Sequence, residues 1–229
     1  MRSLERDVAG IGVLTDPVRR RLYRFVCAQP EPVSRDQAAE ALGIPRHQAK
    51  FHLDRLEAEG LLQTDYVRLT GRSGPGAGRP AKRYRRGDAE FLIALPDRDY
   101  ELAGQLLAQA IEEATGSGTS LEVAINRAAS REGAAIAARA SEQPSSADGA
   151  VDLVGRLLAE RGYEPRRTDS TLTLVNCPFH ALAQRHTDLV CGMNHALIAS
   201  LVEAVAPDVL EARLDPGESR CCVTLAQRR

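Results

Sequence analysis

The chain has 229 residues, of which 43 % are hydrophobic and 27 % charged, and its formal net charge is −1. This length fits two compact domains or one large one, and the composition is that of a globular chain, not a disordered or fibrous one. The near-zero charge hides an asymmetry: residues 1–90 hold 17 Lys and Arg against 12 Asp and Glu, and the remainder holds 13 against 19.

Asp16-Pro17 opens the first long predicted helix, with Asp16 as N-cap and Pro17 in the first turn. Val18, Leu22, Phe25 and Val26 form its apolar stripe, flanked by Arg19, Arg20, Arg21 and Arg24. Cys27 lies beside that stripe and reads as a small buried hydrophobe. Ser34-Arg-Asp-Gln37 matches a capping box ahead of a helix running to Leu42. Gly43 and Ile44 then separate it from Pro45-Arg-His-Gln-Ala-Lys-Phe, the start of a helix that reaches Glu59 and stops at Gly60. Two short helices joined by a Gly-containing turn form a helix-turn-helix, whose second helix lies in the major groove. In that helix Ala49, Leu53 and Leu56 share one stripe, while His47, Lys50, Phe51 and Asp54 fall on the opposite arc with Gln48 and Arg55 beside them.

Leu61 to Arg68 and Ala81 to Arg86 read as two strands around TGRSGPGAGRP, where Gly and Pro forbid regular structure. From Arg68 to Arg86 there are seven Lys and Arg and no Asp or Glu. Such a hairpin suits a wing that touches phosphates or the minor groove. His47, Gln48, Lys50 and Phe51 are expected over base edges. Arg46, Arg55, Arg72, Arg79, Lys82, Arg83 and Arg85 are expected on phosphate or in the minor groove.

The order SRDQAAEALGIPRHQAKFHLDRLEAEGLL followed by a Gly-rich hairpin ending GRPAKRYRR resembles a bacterial winged-helix transcription regulator of the ArsR/DeoR-like group, over roughly residues 10 to 90. The resemblance implies a DNA-binding regulator and leaves the operator sequence open.

Asp99 to Ala114 and Ser120 to Ala140 read as two further helices with Ala-rich faces, expected to form a connector and a homodimer surface, because such regulators read two half-sites. Gln143 to Gly149 is linker-like. Beyond it, a helix from Ala150 to Arg161, strands at Thr171 to Asn176, Val209 to Leu214 and Arg220 to Leu225, and a helix from Leu189 to Val205 make a small α+β domain. The expected organisation is therefore α+β, with a winged helix-turn-helix at 1–95, a helical connector and dimerisation region at 96–145, and a sensor domain at 146–229.

Four of the five cysteines, Cys177, Cys191, Cys221 and Cys222, and three of the five histidines, His180, His186 and His195, gather in this last domain. Thirteen residues separate Cys177 from Cys191 and twenty-nine separate Cys191 from Cys221. That is neither the paired C-x2-C of a zinc ribbon nor the clustered run of a ferredoxin. A winged helix followed by cysteines so arranged resembles the SufR-like repressors, which hold an iron–sulfur cluster. The resemblance implies Cys177, Cys191 and one of Cys221 or Cys222 as ligands. This chain departs from the pattern in a first gap one residue longer and in the doubled last cysteine.

Two rivals stay open. Cys177-x2-His180 with Cys191-x3-His195 is a possible Cys2His2 zinc set, its second pair on one helical face. In a regular strand Cys221 and Cys222 point to opposite faces, which makes one of them core. A small organic ligand between the long helices is a further alternative to a metal. No G-x-S-x-G, P-loop or H-E-x-x-H is present, so the chain reads as a regulator, not an enzyme. No apolar run approaches the roughly 18 residues of a membrane span and no signal-peptide core opens the chain. The expected setting is cytoplasmic, with double-stranded DNA and a second copy of the chain as partners and no membrane.

Overall fold

The computed structural model describes residues 4–67, 80–140, 144, 146–168, 171–217 and 220–228. The fold is α+β and divides into two compact units, Met1–Ile93 and Ala94–Arg229.

The first unit runs α1 (Leu4–Val13), α2 (Pro17–Cys27), β1 (Val33–Ser34), α3 (Arg35–Leu42), α4 (Arg46–Ala58), β2 (Leu62–Val67) and β3 (Ala81–Arg86). The expected caps form. The Asp16 carboxylate accepts from the backbone of Val18 and Arg19 at 2.8 and 2.9 Å. Ser34 Oγ accepts from Gln37 N at 3.2 Å while Gln37 Oε1 accepts from Ser34 N at 2.8 Å, closing the capping box. Gly43 ends α3 with φ 64°, a conformation that costs a residue with a Cβ. Pro45 is the N-cap of α4, so the helix begins one residue later than the sequence suggested.

The strands pair antiparallel in the order β1-β3-β2, with Tyr84 of the central strand facing Val33 on one side and Thr64 on the other. Leu22, Val26, Ala38, Leu53, Leu56, Leu62 and Tyr84 are buried together as the core of this unit. Helix α1, which the sequence reading did not anticipate, buries Asp7, Gly10 and Val13. Gly10 is required there, because a Cβ would sit 2.2 Å from the Phe91 ring.

The second unit runs α5 (Tyr100–Ser117), α6 (Leu121–Ala138), α7 (Ala147–Ala159), β4 (Pro165–Arg167), β5 (Thr171–Leu174), α8 (His180–Ala183), α9 (Thr187–Val205), β6 (Leu210–Leu214) and β7 (Val223–Gln227). Its sheet is antiparallel in the order β4-β5-β7-β6. Side-chain alternation sends Leu172, Leu174, Val223 and Leu225 into the core.

The separate connector at 96–145 is corrected by this core. Leu102, Leu106 and Ala110 of α5 and Ala124, Ala128 and Ile136 of α6 are buried in one cluster with Val154, Leu158, Leu197, Leu201 and Leu225. The Ala-rich face of α6 is therefore spent inside the chain and is not the homodimer surface that was expected of it. Small residues permit this, and at one point they are obligatory: a Cβ on Gly133 would lie 2.1 Å from the backbone oxygen of Leu197. Helix α9 is long and apolar enough to cross a membrane. In this fold it is the central helix of the unit, with Val190, Met193, Leu197, Ile198, Leu201 and Val202 buried. Each fully buried Leu or Ile of this kind contributes about 1.5–3 kcal/mol.

Candidate functional site

Helix α4 presents a buried stripe and an outward face. Ala49, His52, Leu53 and Leu56 are buried, so the unit's core fixes the rotation of the helix about its axis. Arg46, His47, Lys50, Phe51 and Arg55 are exposed and Gln48 is half-buried. Phe51 is 65 % exposed, an unfavourable position for a phenyl ring unless a partner covers it. Three of the cations already hold acidic neighbours: Arg46 with Asp36 at 3.4 Å, Lys50 with Asp54 at 3.3 Å and Arg55 with Glu59 at 2.8 Å. Such exposed pairs are worth about 0.2–1 kcal/mol, little enough for a phosphate to displace.

The wing strands divide the remaining cations. Lys82 Nζ donates to Asp54 Oδ1 at 2.9 Å and to Glu57, and it sits 5.1 Å from the centre of the Tyr84 ring. Tyr84 Oη donates to the same Asp54 oxygen at 2.7 Å, and Thr64 Oγ1 donates to Glu57 at 2.7 Å. Five polar residues, Asp54, Glu57, Thr64, Lys82 and Tyr84, thus fasten the middle of α4 to β2 and β3. Burial alone raises a carboxyl pKa; at Asp54 the hydrogen bonds from Tyr84 and Lys82 outweigh it and hold the group below the usual range. At Lys82 burial pulls downward, and the carboxylates of Glu57 and Asp54 outweigh it and hold the ammonium above the ordinary lysine range. Burial, and then the Asp54 carboxylate, push the Tyr84 phenol up.

Lys82, expected at phosphate, has its charge turned into the unit, where it braces α4 through Asp54 and Glu57. Arg83 likewise pairs across the hairpin with Asp65, at 3.2 Å. Arg85 is exposed and has no ion-pair partner among the described residues. Arg72 and Arg79 lie outside the described residues.

A profile described as a helix-turn-helix domain matches residues 14–64. The chain carries a helix-turn-helix domain. The matched segment runs from the approach to α2 into β2, and with it the chain is a DNA-binding transcription regulator. Within this helix-turn-helix domain α4 is the second helix of the motif, and the β2–β3 hairpin follows it. No curated protein matches the chain.

The second unit holds four of the five thiols of the sequence. Cys177 ends the segment after β5 and is buried; Cys191 lies in the second turn of α9; Cys221 and Cys222 precede β7. Cys177 neighbours Cys221, Cys221 neighbours Cys222, and Cys222 neighbours Cys191, closely enough for their electrostatics to be coupled. β7 starts only at Val223 and the chain bends at Cys222, so the pair lies outside a regular strand; Cys221 is buried and Cys222 half-buried. Contact with Cys177, then with Cys222, holds the Cys221 thiol well below its ordinary pKa, with the Val223 N–H and Asn194 adding to this against burial. Contact with Cys221 and burial push Cys177 and Cys222 up.

Backbone and amide contacts hold the cluster. Cys221 N donates to Leu174 O at 2.8 Å, beside β5. Asn176 Nδ2 donates to Asp97 O and Gly162 O at 2.9 and 2.6 Å, which fixes the residue before Cys177. Asn194 Nδ2 donates to Cys221 Sγ at 3.1 Å, and its Oδ1 accepts from Tyr163. Asn194 and Tyr163 are 1 % and 3 % exposed. Sequence reasoning gave neither a role; the available signal was a lone Asn on the apolar stripe of α9.

The histidines stand apart from the thiols. His180 is exposed, and His195 Nε2 lies 3.1 Å from Ala212 O. Among the described residues no three His, Cys, Asp or Glu side chains stand in a metal-holding arrangement.

Proposed function

We propose that this regulator binds operator DNA as a homodimer, as a repressor in the cytoplasm, and that an iron–sulfur cluster or metal held by its C-terminal cysteines controls the binding. What supports the reading is that four thiols, separated by up to 45 positions, are neighbours in the second unit, although as they stand they do not surround a metal position. Soft thiolates suit iron–sulfur iron and zinc alike, and the donors present are sulfur, with His180 exposed and His195 turned to a backbone carbonyl. Cys177, Cys191, Cys221 and Cys222 would be the ligands. A bound centre supplies a link between the β5 end, α9 and the β7 lead-in that depends on its occupancy.

The protein's own residues do the rest. Cys191 rides on α9, whose core packing against α6 couples the thiols to the body of the unit. A bound group shifts a protein between two states only by its differential affinity for them. Here it favours the arrangement that brings the four sulfurs into ligand positions. Helix α4 reads bases through His47, Gln48, Lys50 and Phe51, and Arg46, Arg55 and Arg85 meet phosphates. The chain acts by binding, with no chemical step.

Oxygen-free purification, visible spectroscopy, and iron, sulfide and zinc analysis test the sensing half. Selection from random duplexes, with loaded and stripped protein, tests the coupling. The expected result is a brown protein that enriches a two-fold symmetric sequence and loses affinity on stripping. Colourless protein with one zinc per chain selects the zinc form of the same reading. Metal-free protein whose DNA binding is indifferent to iron, sulfide and zinc overturns it.

A further inference from the structure

We infer that Tyr66, on β2, is a further and uncharged DNA contact: its ring lies on the sugar–phosphate backbone beside the groove that α4 enters, and its hydroxyl donates to a phosphate oxygen. This rests on the reading that α4 meets base edges of a duplex. The residue lies outside the segment that matches the helix-turn-helix profile, which ends at residue 64.

The strand register places it. Tyr66 stands opposite Lys82, and Thr64 opposite Tyr84. Cross-strand partners share a face, as do residues two apart on one strand. Thr64 bonds to Glu57, and Tyr84 and Lys82 both bond to Asp54, so this shared face is the one turned to α4. Asp54 also holds Lys50, at 3.3 Å. From Tyr66 the path to the outward face of α4 thus runs through Lys82 and Asp54 to Lys50, whose neighbour is Phe51.

Exposure marks the same two places. The chain has four Phe, five Tyr and no Trp, yet Phe51 and Tyr66 are each 65 % exposed. Tyr84, one step inward on the shared face, is buried and spends its hydroxyl on Asp54. Tyr66 keeps ring and hydroxyl in solvent beside a helix whose own exposed ring is two elements of the network away. An amphipathic ring so placed suits a surface that is apolar on one side and polar on the other. A duplex backbone offers this: deoxyribose for the ring and phosphate oxygen for the hydroxyl. Base edges fall to the element inside the groove, and residues flanking it meet the backbone.

Two measurements on the full chain test this. The first is binding to a fluorescent mixed-sequence duplex over a salt series. Tyr66→Phe is expected to weaken binding about tenfold, as loss of a hydrogen bond to a charged group does, and Tyr66→Ala more. Both should run parallel to wild type in the log–log salt plot, because a neutral group releases no counterion. Urea unfolding checks that the variants fold. The second is nitration of the wild-type chain, read by mass spectrometry, which needs no variant. The duplex is expected to slow nitration of Tyr66 and to leave Tyr100, exposed in the other unit, unchanged. Wild-type affinity in Tyr66→Ala, a shallower salt slope in Tyr66→Phe, or nitration of Tyr66 at the same rate with and without duplex overturns the contact and leaves DNA binding by α4 standing. Wild-type protein that binds no duplex overturns the parent reading and this one together.

Discussion

Asp54, in the middle of α4, accepts a 2.7 Å hydrogen bond from Tyr84 on the central strand β3. Lys82 donates to the same carboxylate oxygen at 2.9 Å. The second helix of the motif and the hairpin that follows it are thus locked through one side chain. Tyr84→Phe keeps the ring and removes the hydroxyl. It is expected to lower the stability of the DNA-binding unit by about 1–2 kcal/mol, read from urea unfolding. An unchanged midpoint would show that the bond contributes nothing net.

The same contact gives a pH signature. Asp54 is held below the usual carboxylate range, so its contribution is full above the unfolded value near 3.8 and is lost as pH falls through the folded value. Lys82 is held above the lysine range, so its contribution is full below about 10.5 and is lost only in more alkaline solution. Stability from this network is therefore flat across neutral pH and falls in acid. Asp54→Asn should flatten the acid limb of the unfolding midpoint; an acid limb identical to wild type would assign it to other carboxylates.

Lys82 and Arg85 lie three residues apart on β3 and should behave differently. Arg85→Ala is expected to weaken DNA binding and to make the salt dependence shallower by about 0.9 in log–log slope, as one lost phosphate contact requires. Lys82→Ala should leave that slope in place and reduce thermal stability instead. Equal slopes for wild type and Arg85→Ala would remove Arg85 from the interface. The same measurement on Arg79→Ala tests the wing tip.

Asn194 is buried between a phenol and a thiol. Tyr163→Phe leaves its amide oxygen without a donor and should cost about 1–3 kcal/mol. Asn194→Ala frees Cys221 and is expected to lower metal affinity by about 10–100-fold, as loss of a ligand's supporting hydrogen bond does. Equal affinities in a competition titration against a chelator would deny Asn194 that supporting role.

Gly133→Ala places a carbon 2.1 Å from Leu197 O. Overpacking of this kind costs about 1–3 kcal/mol, and a backbone atom cannot rotate aside. Calorimetry should show the transition of the second unit at lower temperature, with that of the first unit unmoved. No change would mean that α6 and α9 separate at no cost.

What the sequence made legible was local chemistry. Asp16, the Ser34–Gln37 box, Gly43 and Gly60 mark helix ends through bonds made within a few residues, and the apolar stripes of α2 and α4 follow from helical spacing. The cysteine positions were visible, and so was the basic stretch around the wing. What remained hidden depends on partners far along the chain. Lys82 looks like any wing cation until Asp54 and Glu57, on another element, are placed beside it. An Ala-rich stripe does not say whether it meets a second copy or, as α6 does, a helix 60 residues further on. That Cys221 and Cys222 lie outside a regular strand was not legible until the start of β7 was known.

The approach of α6 to α9 at Gly133 has a mechanical consequence. Where two helices touch through side chains, a small displacement is absorbed by changes of rotamer. At Gly133 and Leu197 main chain lies against main chain, and nothing there can yield. A shift of α9 by a few tenths of an ångström is handed on undiminished to α6, which makes this crossing a rigid pushrod rather than a cushion.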